Sequence, residues 1–278
     1  GIDTNNKPVS LCGYACKGNE IVKIMDIPNH LFSLGTLWGR ATRFIFKLSS
    51  GYPRGHQAGS VMAMAALGDH TKYYDDFKRM ATTDFSKVSQ TPSGYKRGVY
   101  VPPEEDVIHP YLNMYRVRAE DDQEKFNMAA SLQKVTEELV GSVVDQFINI
   151  CQSRGFSSKN ICFAGGVSLN SVCMGKIKDI TKSNIENVFI PPVPYDGGLT
   201  IGACQYHWHK ILENKKTGNF VSPYLGEAYE KDEVEDAISK RIKNLDVTRD
   251  FSLDQCADLL VDNKIVSIFQ GRSESGRR

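Results

Sequence analysis

Residues 161–170 read ICFAGGVSLN, an apolar run that stops at Gly165-Gly166 and resumes as the start of a helix. A short apolar run bounded by glycines reads as a buried strand, and three- and four-residue spacing after it reads as a helix. The pattern then repeats. NVFIPP (187–192) is a second short strand, and VPYDGGLTIGACQYHWHKILENKK (193–216) is a loop that turns into a helix near Gly198. Strand, glycine turn, helix, strand, glycine turn, helix is the order of an α/β domain with helices packed on a sheet.

The two turns carry the chemistry. Where a strand hands over to a helix, the first backbone N–H groups lack partners and the helix dipole favours an anion. Glycines let that backbone approach a phosphate with no Cβ in the way. Gly165 and Gly166 are therefore a candidate phosphate cradle, with Ser168 and Asn170 offering side-chain hydrogen bonds. The alternative is a tight turn without a ligand. In the second turn Asp196 precedes Gly197-Gly198. An aspartate there suits a metal that bridges phosphate oxygens, or else caps the helix by accepting backbone N–H bonds.

Outward from this centre, PVSLCGYACKGNEIVKIMDIP (8–28) alternates around a Lys17-Gly18-Asn19 turn and predicts a β-hairpin. Residues 31–46 and SVMAMAALGD (60–69) are predicted helices, the second ending near Gly68. The stretch 69–121, rich in Tyr, Asp, Lys and Pro, reads as an irregular insertion or lid. A long amphipathic helix follows over about 123–153, with Leu132, Val135, Leu139, Val143, Val144, Phe147 and Ile148 on one face. KDEVEDAISKRI (231–242) is a further helix, acidic early and basic late. Residues 252–272 read as helix, turn and a strand KIVSIFQ (264–270), with a domain boundary expected near residue 252.

The bulk numbers exclude some partners. Lys plus Arg is 34 against 33 for Asp plus Glu, a net charge of +1, so neither nucleic acid nor an anionic membrane surface is implied. No apolar run approaches the ~18 residues of a membrane span, and GIDTNNKPVS (1–10) lacks the regions of a signal peptide. A cytoplasmic location is the expectation. The seven cysteines are odd in number and several sit in apolar runs, so they read as reduced thiols. Cys12 and Cys16 have no second Cys/His pair nearby, which argues against structural zinc.

ICFAGGVSLNSVCMGKI (161–177) followed by NVFIPPVPYDGGLTIGACQYHWH (187–209) resembles the nucleotide-binding half of the nodulation-type O-carbamoyltransferases. NHLFSLGTLW (29–38), QAGSVMAMAALGD (57–69) and KIVSIFQGRSESGRR (264–278) are similar to further segments of that family in the same order. The resemblance implies an incomplete actin-like, sugar-kinase-like (RNase H-like) fold over residues 1–252, its first lobe largely missing. The start of a YrdC-like α/β domain would cover 253–278. It implies that carbamoyl phosphate and ATP are converted to carbamoyl adenylate, whose carbamoyl group passes to a hydroxyl of a small acceptor.

By the same resemblance Gly165, Gly166, Ser168, Asn170, Gly197 and Gly198 would hold the nucleotide, and Asp196 would be the catalytic metal ligand, the divalent metal being Fe2+. Arg272 and Arg278 would bind carbamoyl phosphate through forked donors. A homodimer stays open. The departures are specific. No H-x3-H segment occurs for the family's metal histidines, and His207 and His209, two apart, point to different helix faces. Ser60 stands where the family has lysine and Arg277 where it has proline. The chain thus reads as the middle of a longer carbamoyltransferase.

Overall fold

The alternating run 8–28 folds as a hairpin in the computed structural model, which describes residues 9–28, 33–46, 48, 57–82, 121–215 and 222–274. Val9–Lys17 (β1) pairs antiparallel with Glu20–Pro28 (β2), the turn passing through Gly18-Asn19. The chain divides into two units, Gly1–Lys216 and Thr217–Arg278.

In the first unit, Leu34–Phe44 (α1) starts at Ser33, whose Oγ accepts from the Thr36 N–H at 3.3 Å. Ala58–Ala65 (α2) follows, and then Tyr74–Thr82 (α3), which lies inside the stretch expected to be irregular. The polar composition of 69–82 hid that helix. Its apolar face is only Phe77, Met80 and Ala81, all buried, while Asp75 and Asp76 in the first turn suit the dipole. Residues 83–120, the rest of that stretch, lie outside the described residues.

The predicted long helix is Asp122–Ser153 (α4), with Asp121 accepting from the Glu124 N–H at 2.7 Å. It is the spine of the core. Leu132 and Val135 are fully buried in one cluster with Leu37 and Trp38 of α1, Val61 of α2 and Phe77 of α3. Each such side chain contributes about 1.5–3 kcal/mol by leaving water. The Trp38 indole N–H donates to Thr136 Oγ at 2.8 Å, so the buried polar edge is satisfied across two helices.

After α4 comes a βαβ unit. Asn160–Cys162 (β3) and Asn187–Phe189 (β4) pair in parallel, and the crossover between them carries Ser171–Gly175 (α5) and Ile177–Ile180 (α6). Cys173, Met174 and Ile177 bury the crossover against the core. Leu199–Tyr206 (α7) leaves the second turn and runs into a π-helical turn, His207–Ile211. Mixed helix and parallel strand bear out the α/β reading.

Asp145 of α4 ties this crossover down. Its carboxylate accepts from the backbone N–H groups of Lys182 at 3.0 Å and Ser183 at 2.9 Å, and from Ser183 Oγ at 2.6 Å. Burial raises its pKa, but these donors outweigh burial and hold the carboxyl below its ordinary range. A folded value below the unfolded one gives stability that is present above about pH 4 and lost as pH falls through the folded value. Asp145→Ala is therefore expected to cost about 1–3 kcal/mol at pH 7. In urea melts the difference from the unsubstituted protein should narrow at pH 3.

In the second unit, Lys231–Arg241 (α8) begins with a Glu230/Glu233 capping box and Leu253–Val261 (α9) with a Ser252/Gln255 one. The strand expected over 264–270 is not formed. A strand is held by its ladder, and among the described residues of this unit no neighbouring strand offers one. Ile265, Ile268 and Phe269 are exposed accordingly. Among the described residues no helix is long and apolar enough to cross a membrane.

Candidate functional site

The parallel pair brings the two glycine turns together. Beyond the ladder the Phe163 N–H donates to the Phe189 carbonyl at 2.9 Å, and the Gly165 N–H donates to the Pro194 carbonyl at 2.5 Å. Gly165 opens the first turn, and Pro194 stands two residues before Asp196 in the second. Both turns therefore leave the carboxyl ends of adjacent parallel strands, where crevices in open α/β sheets bind ligands.

The glycines are not equivalent. Gly165 sits at φ +105°, a conformation that side chains rarely adopt, and its carbonyl accepts from the Ser168 N–H at 3.0 Å to start the 3-10 turn Gly166–Leu169. At Gly198 a Cβ would lie 2.1 Å from the Val193 carbonyl oxygen, so close packing of the second turn onto its own strand exit requires glycine there. At Gly197 it would meet Tyr195 and Val193 at 3.2 Å. Gly166 has neither reason. Its φ is not in the left-handed region and nothing lies within 4 Å of where its Cβ would be. The space above that backbone is open, as a cradle for a ligand requires.

Asp196 is exposed and begins the 3-10 turn Asp196–Gly198 ahead of α7. Neither that turn nor α7 has a side-chain cap, so the capping use of this carboxylate is not realised. Ser168 and Asn170 are both buried. Asn170 caps α5, its Oδ1 accepting from the Cys173 N–H at 3.1 Å, and its amide turns inward. Its Nδ2 donates to Gln133 Oε1 at 2.8 Å, and Gln133 Nε2 donates to Asn170 Oδ1 at 3.3 Å and Glu137 Oε1 at 2.9 Å. Lys176 Nζ completes the chain with bonds of 3.0 and 3.2 Å to the Glu137 carboxylate. Gln133 and Glu137 escaped the sequence reading. Two polar residues at i and i+4 within the apolar face of α4, next to Leu132 and Val135, are the trace they leave.

The Cys173 thiol lies in the same region. Burial, reinforced by the Glu137 carboxylate, pushes it up to about 12. The thiolate is the nucleophile, so Cys173 is expected to resist iodoacetamide at pH 8 in the native protein while exposed Cys16 and Cys204 label. Peptide mass spectrometry of native and urea-unfolded protein checks this; labelling of Cys173 in the native state would contradict it.

Among the described residues no group of three or more His, Cys, Asp and Glu side chains could hold a metal. Asp196 supplies one carboxylate. That donor fits a divalent cation taking its remaining ligands from phosphate oxygens and water; it does not by itself fit an iron centre with histidine ligands. His207 is exposed, and His209 Nδ1 lies 3.2 Å from the Asn214 carbonyl oxygen. In the second unit the Arg272 guanidinium donates to the Gly226 carbonyl at 2.5 Å and the Leu225 carbonyl at 3.3 Å. Arg278 lies outside the described residues.

A sequence profile described as carbamoyltransferase N-terminus matches residues 12–205. An uncharacterized protein of Synechocystis is 30% identical over 168 residues, covering 56% of this chain and 25% of the relative. An uncharacterized protein of Methanocaldococcus jannaschii is 26% identical over 165 residues, covering 56% of this chain and 29% of the relative. The chain thus matches between a quarter and a third of the length of these relatives.

Proposed function

We propose that this chain, which belongs to the carbamoyltransferase family and carries its N-terminal domain, forms the nucleotide-facing part of an ATP-dependent O-carbamoyltransferase of the nodulation type. The observation that carries the reading is the hydrogen bond from Gly165 to Pro194, which ties the phosphate-type turn to the turn bearing Asp196.

In this reading the first unit is part of an actin-like fold, with the βαβ unit as the segment that presents the nucleotide turns. The backbone of Gly165, Gly166, Gly197 and Gly198 faces the phosphate of carbamoyl adenylate. The Gly165 and Gly198 N–H groups are taken by the Pro194 and Tyr195 carbonyls, so the N–H groups of Gly166 and Gly197 are the ones left for the phosphate and for the negative charge that develops during transfer. The acceptor hydroxyl oxygen bonds to the carbamoyl carbon, the bond from that carbon to the AMP phosphate oxygen breaks, and the hydroxyl proton passes to solvent. Asp196 would contribute one ligand to a divalent cation completed by phosphate oxygens and water, and that cation would supply Lewis-acid polarisation of a carbonyl; iron, which the family resemblance implies, would need ligands beyond those among the described residues. Arg272 and Arg278, in a YrdC-like domain beginning at 253, take carbamoyl phosphate. The reading places the protein in the cytoplasm, where thiols stay reduced.

The test is the full-length protein with carbamoyl phosphate, ATP and a panel of hydroxylated metabolites. AMP release matched by carbamoylated acceptor is the expected result, and failure to consume carbamoyl phosphate with any acceptor would contradict it. A second reading, a nucleotide-binding scaffold without chemistry, is favoured by Ser60 in place of the family's lysine. ATP binding with no AMP release would be its signature.

A further inference from the structure

We propose that Glu137 and Gln133 of α4 are positioning residues that set the nucleotide turn through Asn170. The inference rests on the reading of that turn as a phosphate cradle, and it changes the role of Asn170 from nucleotide ligand to internal strut.

Donor and acceptor capacity carries the argument. An amide side chain has two N–H donors and one oxygen with two lone pairs, and its two ends differ only by the network around them. The ionised Glu137 carboxylate can only accept, so Gln133 must turn its NH2 toward it, where Nε2 donates at 2.9 Å. That leaves Gln133 Oε1 facing Asn170, whose Nδ2 must then donate to it, at 2.8 Å. With Nδ2 so engaged, Asn170 Oδ1 is left as an acceptor, taking the Cys173 N–H at the start of α5 at 3.1 Å and the longer bond from Gln133 Nε2 at 3.3 Å. Lys176 Nζ donates to both Glu137 oxygens from the far side. One acceptor-only group thus fixes two amides in turn, and the second of them closes the turn that Gly165 opens. Asn170, Gln133 and Glu137 are 6%, 6% and 5% exposed, so water does not compete for these bonds.

Gln133→Glu tests the chain because its new carboxyl has a donor only when protonated. The titratable groups joined to it through this chain are Glu137 on its own helix, which it meets directly, Lys176, which meets Glu137, and Cys173, whose N–H meets Asn170. Burial and the Glu137 charge both raise the new group's pKa. ATP affinity of the full-length protein is measured by calorimetry for variant and unsubstituted protein at pH 8 and pH 5.5. The expected ratio is about ten-fold weaker at pH 8, approaching one at pH 5.5 as the proton restores the donor. Gln133→Met, similar in volume but with no such donor, is expected to bind about ten-fold more weakly at both pH values. An unchanged affinity for Gln133→Glu at pH 8, or an equal loss at both pH values, overturns the inference alone. If the buried charge unfolds Gln133→Glu at pH 8, full-strength ATP binding by Gln133→Met overturns it. Failure of the unsubstituted protein to bind ATP overturns the proposed function itself.

Discussion

Gly166→Val is expected to weaken ATP binding by about 100-fold while leaving the thermal midpoint of the full-length protein nearly unchanged. The fold gives no reason for glycine at this position, because φ is ordinary and the space beside it is open. A valine side chain would stand where a phosphate must approach. Losing two backbone N–H bonds to a charged oxygen, at about 1.5 kcal/mol each, the lower end for bonds to charged groups, amounts to roughly two decades in affinity. Gly198→Ala is the contrast within the same pair of turns. Its Cβ would meet the Val193 carbonyl oxygen at 2.1 Å, so it should lose about 1–3 kcal/mol and several degrees of midpoint. Calorimetry for ATP alongside melting curves separates the two effects. A Gly166→Val protein that binds ATP normally would show that no phosphate sits above that backbone.

Asp196→Ala is expected to cut carbamoyl transfer by about 10²–10³-fold and to spare formation of carbamoyl adenylate. The carboxylate is exposed, caps neither the 3-10 turn nor α7, and so does little for the fold. A second anion beside a phosphate turn is repulsive, costing on the order of 1 kcal/mol or more according to the local dielectric, unless a cation lies between them. On the proposed reading the carboxylate serves the chemistry of the crevice, where loss of one preorganised electrostatic group has an effect of this size. Pyrophosphate release reports the adenylation step and carbamoylated acceptor reports transfer. Loss of both steps together would contradict the division of labour between the two domains.

Much of this architecture was legible because glycine is strong punctuation. Gly165-Gly166 ends a short apolar run and Gly197-Gly198 follows NVFIPP (187–192) after a short loop, so both strand exits and the βαβ order could be read from the sequence. The hairpin over 9–28 and the long helix α4 were legible for a similar reason, each repeating its own period over many residues. α3 was missed because a nine-residue helix that buries three side chains leaves little periodic trace among aspartates, lysines and tyrosines. The stretch 264–270 misled in the opposite direction. Its β-branched and aromatic residues suit a strand, but strand formation needs a partner ladder that local sequence does not supply.

The site shows the same division. Asn170 stands at the turn and was read as a nucleotide ligand, yet its sequence position says nothing of where the amide points. That direction is set by Gln133 and Glu137, more than thirty residues upstream, and pairing across such separation is invisible to a local pattern. Gly198 looked like part of a phosphate cradle and has in addition a packing reason, the nearby Val193 carbonyl.

A crystal structure of the full-length protein with a non-hydrolysable carbamoyl adenylate analogue measures the shared crevice directly. The account predicts the phosphate within about 3 Å of the Gly166 and Val167 backbone N–H groups, with Asp196 bordering the same cavity. An analogue bound on another surface, or hydrocarbon side chains filling the gap between these two turns, would contradict it.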